Sequence, residues 1–317
     1  MPHKLKKILF VDTVHPVLEE RLLGLGYSCM HDLISKKESI ELNIDNYFGL
    51  VIRSRFPIDQ QFLDKAKNLK FIARSGAGIE NIDIAYAEEK GIKVFNSPEG
   101  NMDAVGEQAI GMLLMLFNQL KKGDAEVRSG VWDREGNRGL ELSGKTVGII
   151  GCGNMGKALA KKLSGFGCRV IAYDKYKKGF GSSTVEEVSL AEIFEKTDVL
   201  SIHLPLSEET YHYVGEKFLS SFKKPIFLIN TARGNNVSTS DLVEGLKNKT
   251  VLGVCLDVLE YETKSFETIN FEELPEDFNY LTQSENVILS PHVAGWSKES
   301  YVKLSSFLAD KVEKEFS

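Results

Sequence analysis

Three short apolar runs in the second half of the chain end in residues that could do chemistry together. "FLINTARGNN" delivers Arg233, "GVCLDVLEYE" delivers Asp257, Glu260 and Glu262, and "NVILSPH" delivers His292. Arginine keeps its charge at any working pH and offers a planar fork of N–H donors, which suits a carboxylate and polarises an adjacent carbonyl. Histidine is the side chain that donates or accepts a proton near neutrality. A carboxylate beside it favours the imidazolium and fixes which ring nitrogen faces outward. A carbonyl oxygen that turns negative as hydride arrives needs both partners. The set therefore points to a 2-oxo acid reductase or, in reverse, a 2-hydroxy acid dehydrogenase. Spacing alone leaves open which of the three acids faces the imidazole.

A hydride carrier would need its own site, and "KTVGIIGCGNMGKALAKKLSGFGCRVIAYD" has the signature of one. Gly151, Gly153 and Gly156 form GxGxxG directly after one apolar run, Asn154 and Met155 open the helical stretch behind it, and the next run ends in Asp174. The first glycine makes the tight turn, the second lets backbone approach a pyrophosphate, and the third lets helix and strand pack closely. Amides at the helix start face the anion. Asp174 can accept from ribose hydroxyls and would repel a 2′-phosphate, which argues for NAD over NADP. Lys175, Lys177 and Lys178 could soften that preference.

These residues need scaffolds. Apolar runs rich in β-branched residues ("KILFV", "LVIR", "LKFIAR", "IKVF", "KTVGIIG", "CRVIAYD", "DVLSIHL", "PIFLIN", "TVLGVCLDV", "NVILS") alternate with amphipathic stretches from end to end. That alternation predicts an α/β protein of two Rossmann-like, doubly wound parallel sheets with an active-site cleft between the domains. "NMDAVGEQAIGMLLMLFNQLKKGDAEVRSG" predicts a divider helix of roughly five turns, apolar on nearly all sides around Met112 to Phe117, and therefore buried in a core or in a subunit interface, of which the interface is favoured. Ser297 is placed to cap a terminal helix that returns to the first domain. The expected division is residues 1–98 with 292–317 as a discontinuous substrate-binding domain, and 99–291 as the NAD-binding domain.

Length and composition agree. A chain of 317 residues is long enough for two cores. A formal charge of -6 with dispersed lysines gives no general attraction to polyanions, so nucleic acid is not an expected partner. The longest apolar run, "AIGMLLMLF", is too short to span a membrane, and the N-terminal apolar run stops at Asp12, too soon for a signal peptide. A cytoplasmic protein is expected. Four cysteines without a CxxC pair and scattered histidines without HExxH predict reduced thiols and no metal site.

The stretches "VIRSRFPI", "ARSGAGIENIDIAYAEEKGIKVFNSPEGNMDAVGE", "HLPLSEET", "INTARGNNV", "GVCLDVLEYE" and "SPHVAGW", together with the glycine fingerprint, resemble the D-isomer-specific 2-hydroxyacid dehydrogenases over nearly the whole chain. The resemblance implies that Arg233 binds the substrate carboxylate, that His292 is the acid/base, and that Glu262, five residues after Asp257, is its partner. It also implies that Ala77 and Gly78 offer amides to the carboxylate with Asn101 nearby. Leu204, Pro205, Thr210, Thr231, Ala232 and Asp257 would line the nicotinamide half of NAD, and the dimer would form through the nucleotide domain. Arg53 and Arg55, flanking Ser54 in "RSR", resemble the arginines that phosphoglycerate dehydrogenases aim at a phosphate. D-3-phosphoglycerate is thus the expected substrate, with glyoxylate or hydroxypyruvate reduction as the alternative within the class. A protein that senses NAD on this fold is the alternative outside it. No regulatory domain is expected after the terminal helix. Two departures stand out: threonine rather than proline follows Glu262, and the stretch between Glu262 and the last apolar run is longer than usual.

Overall fold

The computed structural model describes residues 6–262 and 274–316. They divide into two compact units, one from the described residues of 1–101 and 296–317, the other from those of 102–263 and 267–295.

The first unit holds β1 (Lys7–Phe10), β2 (Ser28–His31), β3 (Gly49–Ile52), β4 (Phe71–Arg74) and β5 (Lys93–Phe95) in a parallel sheet of order β2-β1-β3-β4-β5. Successive side chains of a strand point to opposite faces, and both faces here are apolar. Leu9, Leu50, Ile52 and Ile72 bury one core, with Phe62 and Leu63 of the helix Gln60–Lys65. Ile8, Phe10, Val51 and Phe71 bury the other. The terminal helix Lys298–Phe316 covers that second face through Leu308, Ala309 and Val312, and the hydroxyl of Ser297 accepts from the amide of Ser300 to cap it.

The second unit holds β6 (Thr146–Ile150), β7 (Arg169–Tyr173), β8 (Glu186–Glu187), β9 (Val199–Ile202), β10 (Ile226–Asn230), β11 (Val251–Leu256) and β12 (Val287–Leu289). Every pairing is parallel and the order is β12-β11-β10-β9-β6-β7-β8. The winding reverses between β6 and β9, and in such sheets ligands bind beyond the strand ends at that point. In the first unit the reversal lies between β1 and β3.

Two expectations are corrected. The divider helix is Pro98–Phe117, followed by a separate helix, Leu120–Arg128, after Gln119 at φ 49°. Ala109, Met112, Leu113 and Phe117 do not wait for another subunit: they are buried in this unit's own core against Ile149 and Leu159. His292 also groups with the second unit, not with the terminal helix. The carbonyl and carboxylate of Asp257, just past β11, accept from the amides of His292, Val293 and Ala294 and hold them there. Of the long stretch after Glu262, residues 263–273 lie outside the described residues, and the remainder carries the helix Glu276–Gln283.

Candidate active site

The glycines after β6 divide by what surrounds them. A Cβ on Gly151, at φ 89°, would lie 2.4 Å from the carbonyl oxygen of His203, and one on Gly156 would lie 2.3 Å from the carbonyl oxygen of Gly151. Both positions let chain segments touch. A Cβ on Gly153 would meet nothing nearer than Lys177 Nζ at 3.7 Å, so its missing side chain leaves open room beside the backbone. The helix Asn154–Leu163 starts there with no side chain capping it, and Asn154 and Met155 sit in its first turn. Its first amides have no partner within the helix, which suits the position to an anion.

Asp174 follows β7 directly. One carboxylate oxygen accepts from the amide of Cys152 at 2.9 Å, the other from Tyr176 and Lys177 at 3.0 and 2.9 Å. Burial would raise its pKa, but these amides outweigh it and hold the group below the usual carboxylate range. The anion thus stands beside the glycine turn and keeps lone pairs for a ribose.

Beyond β9 the chain runs through Leu204 and Pro205 to Thr210. The Thr210 hydroxyl donates to the carbonyl of Pro205 at 2.6 Å and accepts from the amide of Ser207 at 2.8 Å, so it fastens the loop. Thr231 behaves differently: its hydroxyl is buried with no hydrogen-bond partner. With the space at Gly153 and the anion at Asp174, it fits a dinucleotide. The adjacent Ala232 amide donates to the side chain of Asn230, which sequence reading passed over and which also donates to the carbonyl of Arg233. That fully buried asparagine shapes the turn from which Arg233 projects. Gly234 lets this turn pack on the acid-bearing segment, since a Cβ there would lie 2.0 Å from the Leu259 carbonyl.

β10, β11 and β12 are neighbours in the sheet, so the three polar strand ends lie side by side. The acids separate by partner. Asp257, 1 % exposed, accepts from Ser290 Oγ at 2.5 Å and from the amides of Val293 and Ala294. It anchors the histidine loop. Glu260 pairs with His212 Nε2 at 2.7 Å and accepts from the amide of Thr239. Glu262 accepts from the amide of Leu259 with one oxygen and meets His292 Nδ1 at 2.6 Å with the other. Glu262 is 10 % exposed and His292 27 %, so the pair is sheltered while the imidazole still reaches an open surface. The contact through Nδ1 fixes the orientation of the ring. His292 holds φ 54°, a left-handed conformation uncommon outside glycine. The other histidine at a strand end, His203, is no competitor: burial pushes it down to about 4, and its Nδ1 is enclosed without a partner. Among the described residues no cluster of three or more metal-ligating side chains occurs, and no helix is long and apolar enough to cross a membrane.

In the first unit, Arg53, Ser54 and Arg55 follow β3, at the reversal of that sheet. Asp12, after β1, accepts from the amides of Arg53 at 2.6 Å and Arg55 at 3.3 Å. The two side chains part company. The Arg55 guanidinium donates to the carbonyls of Val11, Asp32 and Ser35 at 2.8, 2.6 and 2.5 Å, which ties three segments together and removes it from the expected phosphate site. Arg53 lies over the indole of Trp296, 4.3 Å from the ring centroid. After β4, the Asn96 side chain donates to the carbonyl of Ala77 at 2.6 Å and so orients the turn through Gly78. Asn101 keeps its side-chain oxygen buried and without a partner.

Comparison with known proteins agrees with this architecture. A family model described as "D-isomer specific 2-hydroxyacid dehydrogenase, NAD binding domain" matches residues 110–294. The hydroxypyruvate reductase of Thermotoga maritima is 34% identical over 266 residues, covering 84% of each chain. The D-3-phosphoglycerate dehydrogenase of Methanocaldococcus jannaschii is 32% identical over 313 residues, 97% of this chain but 57% of its own length. Among solved structures, a D-2-hydroxyisocaproate dehydrogenase superposes with a TM-score of 0.83 at 27% identity, covering 98% of this chain and 96% of its own. The D-lactate dehydrogenase of Aquifex aeolicus, solved with NAD and lactic acid, gives 0.81 at 25% identity, covering 98% and 95%.

Proposed function

The chain belongs to the D-isomer-specific 2-hydroxyacid dehydrogenases, and from that premise we propose that its substrate is D-3-phosphoglycerate, interconverted with 3-phosphohydroxypyruvate. It is an NAD-dependent oxidoreductase acting on the CH–OH of a D-2-hydroxy acid. When NAD is bound beside Gly153, Asp174 and Thr231, it would supply the hydride chemistry. Arg233 grips the substrate carboxylate and polarises the adjacent carbonyl. His292 gives a proton from Nε2 to the forming hydroxyl in reduction and takes it back in oxidation. Glu262, fixed by the Leu259 amide, holds the ring in the required orientation. The amides of Ala77 and Gly78, with Asn101, add donors for the carboxylate.

The phosphate reading is carried by Arg53: among the described residues no carboxylate or carbonyl is bonded to its guanidinium, whereas that of Arg55 beside it is spent on three backbone carbonyls. The loss of Arg55 as a second cation favours one other reading, reduction of hydroxypyruvate or glyoxylate, and a hydroxypyruvate reductase is among the relatives matched over most of both chains. NADH oxidation with 3-phosphohydroxypyruvate, hydroxypyruvate and glyoxylate side by side separates the two. A kcat/KM at least tenfold higher for the phosphorylated acid is expected, and equal or higher values for the small acids would reassign the substrate. We also infer a cytoplasmic homodimer, with the exposed Val127, Val131, Trp132 and Leu140 offered to the second copy. Light scattering of the eluted protein tests that assembly, and a monomeric mass would reject it.

A further inference from the structure

We propose that Trp296 is the residue that makes Arg53 a selector for a second anionic group on the substrate. The proposal rests on the reading of Arg53 as the phosphate contact. Trp296 is 60% exposed, so its place is not explained by burial in a core. Its ring carries the Arg53 guanidinium at 4.3 Å, within cation–π range. The other end of Arg53 is fixed too. Its amide donates to Asp12 at 2.6 Å, and its carbonyl accepts from the Asn81 side chain at 3.3 Å.

A long, flexible cation is thereby held at root and tip. Cation–π contact uses the flat face of the guanidinium and leaves the N–H edge free to fork onto a phosphate, whereas Arg55 uses that edge on backbone carbonyls. The ordering lowers the rotamer entropy that Arg53 would otherwise lose on binding a phosphate. A small acid without a distal anion gains nothing from it. Trp296 also follows His292 by four residues in the same segment, so sequence change there can alter substrate choice without touching Arg233, Glu262 or His292.

The test is a ratio. In Trp296→Ala, kcat/KM for 3-phosphohydroxypyruvate relative to hydroxypyruvate should fall about three- to tenfold, through KM of the phosphorylated acid. Trp296→Phe, which keeps a ring face, should retain most of the preference. The chain has only two tryptophans, so in a Trp132→Phe background Trp296 is the sole indole reporter. Its emission should change on titration with 3-phosphoglycerate, and that response should vanish when Arg53→Ala is added. A wild-type enzyme with no preference for the phosphorylated acid would overturn the substrate reading and this inference with it. A wild-type preference that survives in Trp296→Ala, or an equal fall for both acids, would overturn the inference alone.

Discussion

His292 is held by three things that can be varied separately: a left-handed backbone, amide bonds to Asp257, and the Nδ1 contact with Glu262. If the ring is the proton donor, His292→Ala should lower turnover by roughly a hundred to ten thousand fold. NADH affinity, read from quenching of protein fluorescence, should stay within a few-fold; equal losses of both would mark the residue as structural. Glu262→Gln keeps the shape of the side chain and removes its charge, so turnover should fall by about a hundredfold or more. Glu260→Gln, whose side chain faces His212, should stay within about fivefold in the same assay. The opposite ranking would make Glu260 the partner. The residue types of this centre were legible in the sequence because strand ends are where ligands bind. The partner among three acids was not legible from spacing, and only the resemblance pointed to Glu262, because the choice depends on Gly234 admitting close packing and on which carboxylate the loop amides reach. The role of Arg55 was likewise hidden, since its acceptors are carbonyls from distant parts of the chain.

At the scale of elements, the ten apolar runs read from the sequence are all strands. The two that were missed are the edge strands β2 and β8. An edge strand is paired on one side only and need not be apolar: "SCMH" is half exposed and "EE" is two acids long. The divider helix was misread for the converse reason. An apolar surface does not say what will cover it, and here the cover is the sheet of its own unit. The glycine turn allows a sharper test. Gly156→Ala would press a Cβ to 2.3 Å from backbone, so both thermal stability and NADH affinity should drop. In Gly153→Ala the Cβ enters open space, and the melting temperature should stay within a degree or two while NADH affinity falls about tenfold or more. Equal damage to stability from both substitutions would mean that Gly153 serves the fold and not the cofactor.

The described residues carry four apolar clusters, two on the faces of each sheet, and one of them joins segments far apart in the chain. Residues of β1 and β4 share a core with Leu308, Ala309 and Val312, so the smaller unit is completed by residues far from its strands along the chain. The residues proposed to hold NAD, by contrast, all lie in the larger unit. If each unit unfolds as its own cooperative block, a perturbation should move one transition and leave the other in place. Leu308 is fully buried, and Leu308→Ala should cost about 2–5 kcal/mol. Calorimetry of that variant should show an early transition that NADH does not shift, followed by a later one that it raises. At a hundred times Kd the cofactor should stabilise its unit by about 2.7 kcal/mol. A single transition that moves with both the mutation and NADH would show that the two cores unfold as one block, and the loss at Leu308 would then reach the cofactor site through global stability.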